Sequence, residues 1–256
     1  GSLVSSIITS DKSIATSYVL NSASHHGRIL ILNESCAKES TGHGSPMPML
    51  VHGGPGRAGG GEEMGGLRGV KHYLQRTAIQ GTPDMITQIT QVHQYGSTGN
   101  ETEIHLFKKY FEELNIGDML VTAKHTVTDA DITNFANLSG DHFYAHMDAT
   151  SLEGTIFNQR VAHGYYILSK AAGLFVDAKK GPVLLNYGID ECRFTKPVYP
   201  GMTICVKLIV KEKIEQEKKS EDDIDKGIVK WLVDVFDETG DSVAIATILT
   251  MVKKID

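Results

Sequence analysis

Long apolar runs are missing: no stretch approaches the roughly 20 residues that cross a bilayer, so no membrane span is expected. Basic charge is also short, with 25 Lys and Arg against 31 Asp and Glu. Such a chain offers no positive field to a nucleic-acid backbone, and nucleic acid is not an expected partner. Cysteine is scarce. Cys36, Cys192 and Cys205 are too far apart for a zinc motif and odd in number, which predicts reduced thiols packed as small apolar groups in a cytoplasmic protein. The N-terminus carries neither the charged region nor the apolar core of a signal peptide. What is present, 256 residues of which 41% are hydrophobic, suffices for one large or two small globular domains.

The two halves follow different patterns. Up to about Gln91 the chain is rich in glycine and histidine, including HGGPGRAGGGEEMGGLRG from His52 to Gly69. The segments there are short: a helix is expected over Ile14 to Ser22, a buried strand over Gly27 to Ser35 and another helix over Leu67 to Arg76. The polar run QVHQYGSTGNETE reads as a linker, dividing the chain into 1–90, 91–104 and 105–256. Beyond it, Met119 to Val127 is a strand candidate, and Thr128 with Asp131 forms a capping box for a helix ending at Ser139-Gly140. Val161 to Gly181 is apolar almost all round and reads as one long buried helix stopped by Lys179-Lys180-Gly181-Pro182. Four strands follow: Val183 to Val198, Met202 to Lys213, Gly227 to Phe236 and Ser242 to Lys254. In the second of these, Ile204, Val206, Leu208 and Val210 alternate with a mixed face. The fold class is therefore α+β, one long central helix wrapped by an antiparallel sheet.

Several motifs lead nowhere. Gly54-Pro55-Gly56-Arg57-Ala58-Gly59 fits the dinucleotide pattern in letters, but it has a proline inside the turn and no acid about 20 residues on. A Walker A lysine is absent, and Gly42-His43-Gly44-Ser45-Pro46 is not a nucleophile elbow. His142 and His146 with Asp141 lack an evident third strong ligand, so no metal is expected. The stretch LSGDHFYAHMDATS (Leu138 to Ser151) nevertheless gathers titratable groups right after a helix stop, and a second pair, His163-Gly164, opens the apolar helix.

Leu138-Ser139-Gly140-Asp141 through His146-Met147-Asp148, followed by Arg160-Val161-Ala162-His163-Gly164, resembles the MaoC-like (R)-specific enoyl-CoA hydratases over about Phe107 to Ile255. The resemblance implies a hot-dog fold, assembly into a dimer or higher homo-oligomer, and an acyl-CoA substrate, with CoA present only as part of that substrate and no further cofactor for hydration. It implies that Asp141 and His146 hold and activate a water while the Gly164 N–H receives the thioester oxygen. Hydration of a conjugated thioester needs a base, an acid and a donor to the enolate-like oxygen, and these residue types supply all three. Two departures stand out: His142-Phe143-Tyr144-Ala145 replaces the family's Asn-Pro, and Ala172 replaces a frequent serine. Phe143, Tyr144, His163 and Tyr165 are expected to contact the substrate, and His142 and Asp148 to serve local structure.

Leu3 to Gly81 resembles the C-terminal end of an aldehyde dehydrogenase, in Thr9-Ser10-Asp11, Gly27-Arg28-Ile29-Leu30-Ile31-Leu32-Asn33 and Gly69-Val70-Lys71-His72-Tyr73. Gly42 to Pro48, Arg57 to Glu62, Gly140 to His146 and Val161 to Tyr165 are similar to the PaaZ family, which joins a dehydrogenase to an oxepin-CoA hydrolase of phenylacetate degradation. That implies ring-opening hydrolysis of a CoA-linked cyclic enol ether. NADP would serve only a nucleotide-binding portion missing from this chain, so aldehyde oxidation is not expected and Cys36 reads as structural. The competing expectations are a hot-dog acyl-CoA thioesterase and a non-catalytic acyl-CoA-binding or assembly domain.

Overall fold

The computed structural model describes residues 1–40, 52–55, 74 and 76–255. The dinucleotide-like run beyond Pro55 and most of the helix expected over Leu67 to Arg76 lie outside these residues. The chain divides into two units, Gly1–Thr98 and Gly99–Asp256.

In the first unit, strands β1 (Ser2–Ile8), β2 (His26–Leu32) and β3 (Ala78–Gln80) form a parallel sheet in that order. The crossover from β1 to β2 contains helix α1 (Lys12–Ser22), whose N-cap Asp11 accepts hydrogen bonds from the Ser13 and Ile14 N–H groups, satisfying donors the first turn leaves without partners. Helix α2 (Pro83–Thr90) starts with proline at its first turn under a Thr82 cap, where the missing N–H costs nothing. Ala15, Val19, Ile29, Ile31 and Met85 make a small core. Cys36 lies in the turn after β2, its thiol near the Ile31 and Asn33 carbonyls.

The second unit is built on a larger sheet. Strands β4 (Asn100–Glu101), β5 (Asp118–Val121), β6 (His125–Thr126), β7 (Val183–Phe194), β8 (Thr203–Glu215), β9 (Lys226–Asp237) and β10 (Ser242–Lys253) are ordered β4-β5-β8-β9-β10-β7, with β6 on β8. All pairs are antiparallel except β4 with β5. The expected alternation in β8 holds: Ile204, Val206, Leu208 and Val210 are fully buried. They join Trp231, whose indole N–H donates to Thr250 Oγ1 at 2.8 Å.

Two expected elements are shorter than their apolar patterns. The strand expected from Met119 to Val127 breaks into β5 and β6 because the Thr122 hydroxyl takes the Val206 N–H at 3.1 Å, where a backbone carbonyl would continue the ladder. Helix α3 (Asp129–Ser139) carries the complete capping box at Thr128 and Asp131 and ends on Gly140 at φ 79°, a left-handed conformation that glycine adopts without Cβ strain. The helix expected over Val161 to Gly181 is α5, Gly164–Phe175. Its expected first turn is lost because the Val161 N–H donates to the Ala145 carbonyl and the Ala162 N–H to the Val198 carbonyl, which holds the backbone extended. The lysine-rich stop does not act as a cap, since Val176 is already extended and the Asp177 carboxylate accepts the Lys179 N–H. Nor is the helix buried all round. Tyr166, Ile167, Ala171 and Phe175 face the core, while Tyr165 is exposed.

Candidate active site

Two short segments of the second unit meet at the N-terminus of α5. The first begins where Gly140 turns the chain out of α3. Asp141 follows, its N–H donating to Ser139 Oγ at 3.2 Å and its carboxylate accepting the Phe143 N–H at 3.2 Å. These two bonds fix the exposed carboxylate at the mouth of the segment. A single helical turn, α4 (Tyr144–Met147), then brings in His146.

The histidine tautomers follow from their partners. A carbonyl only accepts, so His146 Nδ1, 2.6 Å from the Val161 carbonyl, carries a proton and leaves Nε2 as the ring's acceptor. His163 Nε2 lies 2.9 Å from the backbone carbonyl of Asp141 and is likewise a donor. The two rings stack, with centroids 3.8 Å apart and planes 27° from parallel. Burial lowers the pKa of His163, with the hydrogen bond to the Asp141 carbonyl opposing that shift and the neighbouring His146 adding to it. His163 is therefore neutral at physiological pH.

Asp141, His146 and His163 bring ligand-type atoms within 4.8 Å of one another, so the fold supplies a third potential ligand that the sequence pattern did not display. One nitrogen of each ring bonds a carbonyl, which leaves one nitrogen free on each, as metal-bound histidines also have.

Gly164 is the first residue of α5, where N–H groups lack partners within the helix and the dipole favours a developing negative charge. A Cβ there would stand 2.6 Å from the Phe194 ring, so glycine permits this approach without displacing that ring. His146 and Gly164 border a cavity of about 310 Å³ whose other walls include Phe157, Phe194, Lys196 and Val198. Lys196 Nζ is held by Asp237 at 2.6 Å and Asp241 at 2.8 Å, and these carboxylates raise its pKa. The cavity is thus mostly apolar, with a fixed cation on its rim.

The expected contact residues are distributed unevenly. Phe143 and Tyr144 are exposed and pair with ring centroids 4.5 Å apart. Tyr165 is exposed and meets Phe194 edge-on at 6.2 Å. His163 is only 1% exposed. His142 bonds locally to the Gly140 carbonyl and Asn137. Asp148 caps the next turn through Thr150 and Ser151, whose hydroxyls hold its pKa at about 2. Sequence reasoning missed Phe157, Phe194, Lys196 and Val198. A lone apolar or lysine residue in a loop or at a strand end carries no local signal, and only the fold brings Phe157, from the loop before α5, together with Phe194, Lys196 and Val198 at and beyond the end of β7.

Residues 112–231 match the MaoC like domain family. The chain is 56% identical to Protein MaoC of Klebsiella aerogenes over 223 residues, covering 87% of this chain and 67% of that protein, and it belongs to the MaoC-like domain family. It is also 29% identical over 113 residues to an (R)-specific enoyl-CoA hydratase of Rhodospirillum rubrum, covering 44% of this chain and 77% of that one. A shorter likeness, 38% over 55 residues, covers 22% of this chain and 11% of a 3,4-dehydroadipyl-CoA semialdehyde dehydrogenase of Aromatoleum evansii. Among solved structures, a monoamine oxidase regulatory protein from Archaeoglobus superposes with TM-score 0.53 at 29% identity, over 62% of this chain and all of that one. A double hot-dog protein, Rv0216 of Mycobacterium tuberculosis, superposes with TM-score 0.52 at 15% identity, over 59% of this chain and 46% of that one. The second unit thus has the expected α+β hot-dog fold.

Proposed function

We propose that this protein adds water across the double bond of a CoA thioester, and that its own substrate is a CoA-linked cyclic enol ether of the oxepin-CoA type, opened by hydrolysis in phenylacetate degradation. The carrying observation is the orientation of His146. Its Nδ1 is spent on the Val161 carbonyl at 2.6 Å, which leaves Nε2 as a base beside the cavity that Gly164 also borders. One member of the Asp141–His146 pair takes a proton from water as its oxygen bonds the electrophilic carbon, and the other returns a proton to the α-carbon. The electron pair of the double bond moves towards the thioester oxygen, where the Gly164 N–H at the helix N-terminus stabilises it. In a cyclic enol ether the added hydroxyl makes a hemiacetal, which opens to an aldehyde.

Phe143, Tyr144 and Tyr165 are the exposed aromatic groups offered to the acyl portion, and the departure of Phe143-Tyr144 from the generic hydratase motif supports the ring-bearing substrate. The reading of residues 1–90 as the end of an aldehyde dehydrogenase domain, joined through 91–104 to the hydratase domain at 105–256, belongs to the same proposal. Aldehyde oxidation by this chain, with its NADP requirement, is not part of the proposal. Assembly in the cytoplasm as a homo-oligomer is, because the outermost strand β7 exposes Leu185, Tyr187 and Ile189.

The experiment is turnover of an oxepin-CoA and of a short trans-2-enoyl-CoA, with products identified by mass and free thiol measured in parallel. Asp141→Asn and His146→Ala are each expected to lower kcat by about 10²- to 10⁴-fold with unchanged melting. Near-normal rates in both variants defeat the proposal. Stoichiometric thiol release assigns the site to thioester hydrolysis instead.

A further inference from the structure

His163 was expected to touch the substrate, yet it is 1% exposed and stands behind His146. Three contacts define its place. Its Nε2–H is bonded to the Asp141 carbonyl at 2.9 Å. Its ring stacks on His146 at 3.8 Å. Phe135, from α3, packs against it with centroids 5.1 Å apart. We propose that His163 is the positioning residue of this site: a neutral imidazole whose face sets the plane of the His146 ring while its Nε2–H anchors the backbone that carries Asp141.

The geometry ties the two reacting groups to one support. Asp141 and His146 sit on a short segment with one turn of helix that is anchored at buried Ala145, and a segment of that length holds its reacting side chains loosely unless something buried also fixes them. His163 is that buried group, and it reaches both residues. Its own backbone ends at the N-terminus of α5, so the proton-transfer pair and the Gly164 N–H share one rigid reference. Misplacing reacting groups by about 1 Å costs on the order of 10²-fold in rate.

The remaining nitrogen explains why the ring stays neutral. His163 Nδ1 is buried and has no hydrogen-bond partner among the described residues. Protonating it would create a buried N–H without an acceptor, next to the His146 ring that gains positive charge during turnover. A neutral ring supports His146 without repelling it.

This inference rests on the hydratase reading of the site, and the test separates the two. Full-length His163→Phe keeps a ring for stacking but loses the donor, and His163→Gln restores an N–H. With a short trans-2-enoyl-CoA, His163→Phe is expected to lower kcat about 10- to 100-fold with KM within about twofold, and His163→Gln to recover a substantial part. A rise in KM at unchanged kcat makes His163 a substrate contact and overturns the proposal, as does unchanged kcat in both variants. Retained turnover in His146→Ala overturns the hydratase reading itself. Nitrogen-15 spectra of wild-type imidazoles supply a readout free of turnover and of variant folding. A neutral His163 protonated at Nε2 near pH 7 is expected, and an Nδ1–H tautomer or an imidazolium overturns the proposal.

Discussion

In the N-terminal unit, parallel strands of seven, seven and three residues surround a core of Ala15, Val19, Ile29, Ile31 and Met85. In the C-terminal unit, four antiparallel strands of twelve or thirteen residues enclose a core running from Leu106 to Val252. The difference shows where a reactive loop can be afforded. Asp141 is exposed, yet it is one hydrogen bond from buried His163, which leads directly into α5 and the larger core.

The sharpest way to break this comparison is to separate the units. A fragment spanning Gly99–Asp256 is expected to unfold cooperatively and retain turnover, whereas Gly1–Thr98 alone gives no cooperative melt, because a core of that size rarely stabilises a small domain. Loss of all turnover in the folded larger fragment would show that the first unit completes the site.

A smaller effect comes from single cavities. The lone tryptophan, Trp231, is fully buried in the second unit, so its fluorescence reports that unit. Leu208→Ala, also at a fully buried position, is expected to lower the stability seen by Trp231 in urea by about 2–5 kcal/mol. Ile31→Ala, equally buried in the first unit, should leave the Trp231 midpoint in place. A matching shift in both variants would mean that the units unfold as one.

The smallest effect is pH dependence, and it also belongs to the second unit. Burial lowers the pKa of His163 and of His105. A histidine with a depressed folded-state pKa binds its proton more readily unfolded. Its contribution to stability is therefore complete above the unfolded value of about 6.5 and is lost as pH falls through the folded values. The melting temperature is expected to decline below about pH 6.5, less steeply in His163→Phe. A decline of equal slope in that variant would assign the effect to other groups.

Much of the second unit was legible because its signals are long or local. Alternation from Ile204 to Lys211 marks β8, long β-branched runs mark β9 and β10, and Thr128 with Asp131 marks the start of α3 within four residues. The start of α5 was not legible, since Val161 and Ala162 are pulled out of the helix by the carbonyls of Ala145 and Val198, both distant in sequence, and a backbone carbonyl leaves no mark on the residue pattern. For the site, the motif pairs Asp141 with His146 and His163 with Gly164, and these do meet. What the motif did not reveal is orientation: that one histidine faces the cavity and the other stands behind it. That depends on stacking and on which carbonyl each ring nitrogen finds.

The Phe194 ring occupies the space a side chain at position 164 would need. Thirty residues separate the two in sequence, yet they share one space. A side chain at 164 would therefore have to displace the half-exposed Phe194 ring, so the two positions are coupled in one direction: growth at 164 requires movement or shrinkage at 194.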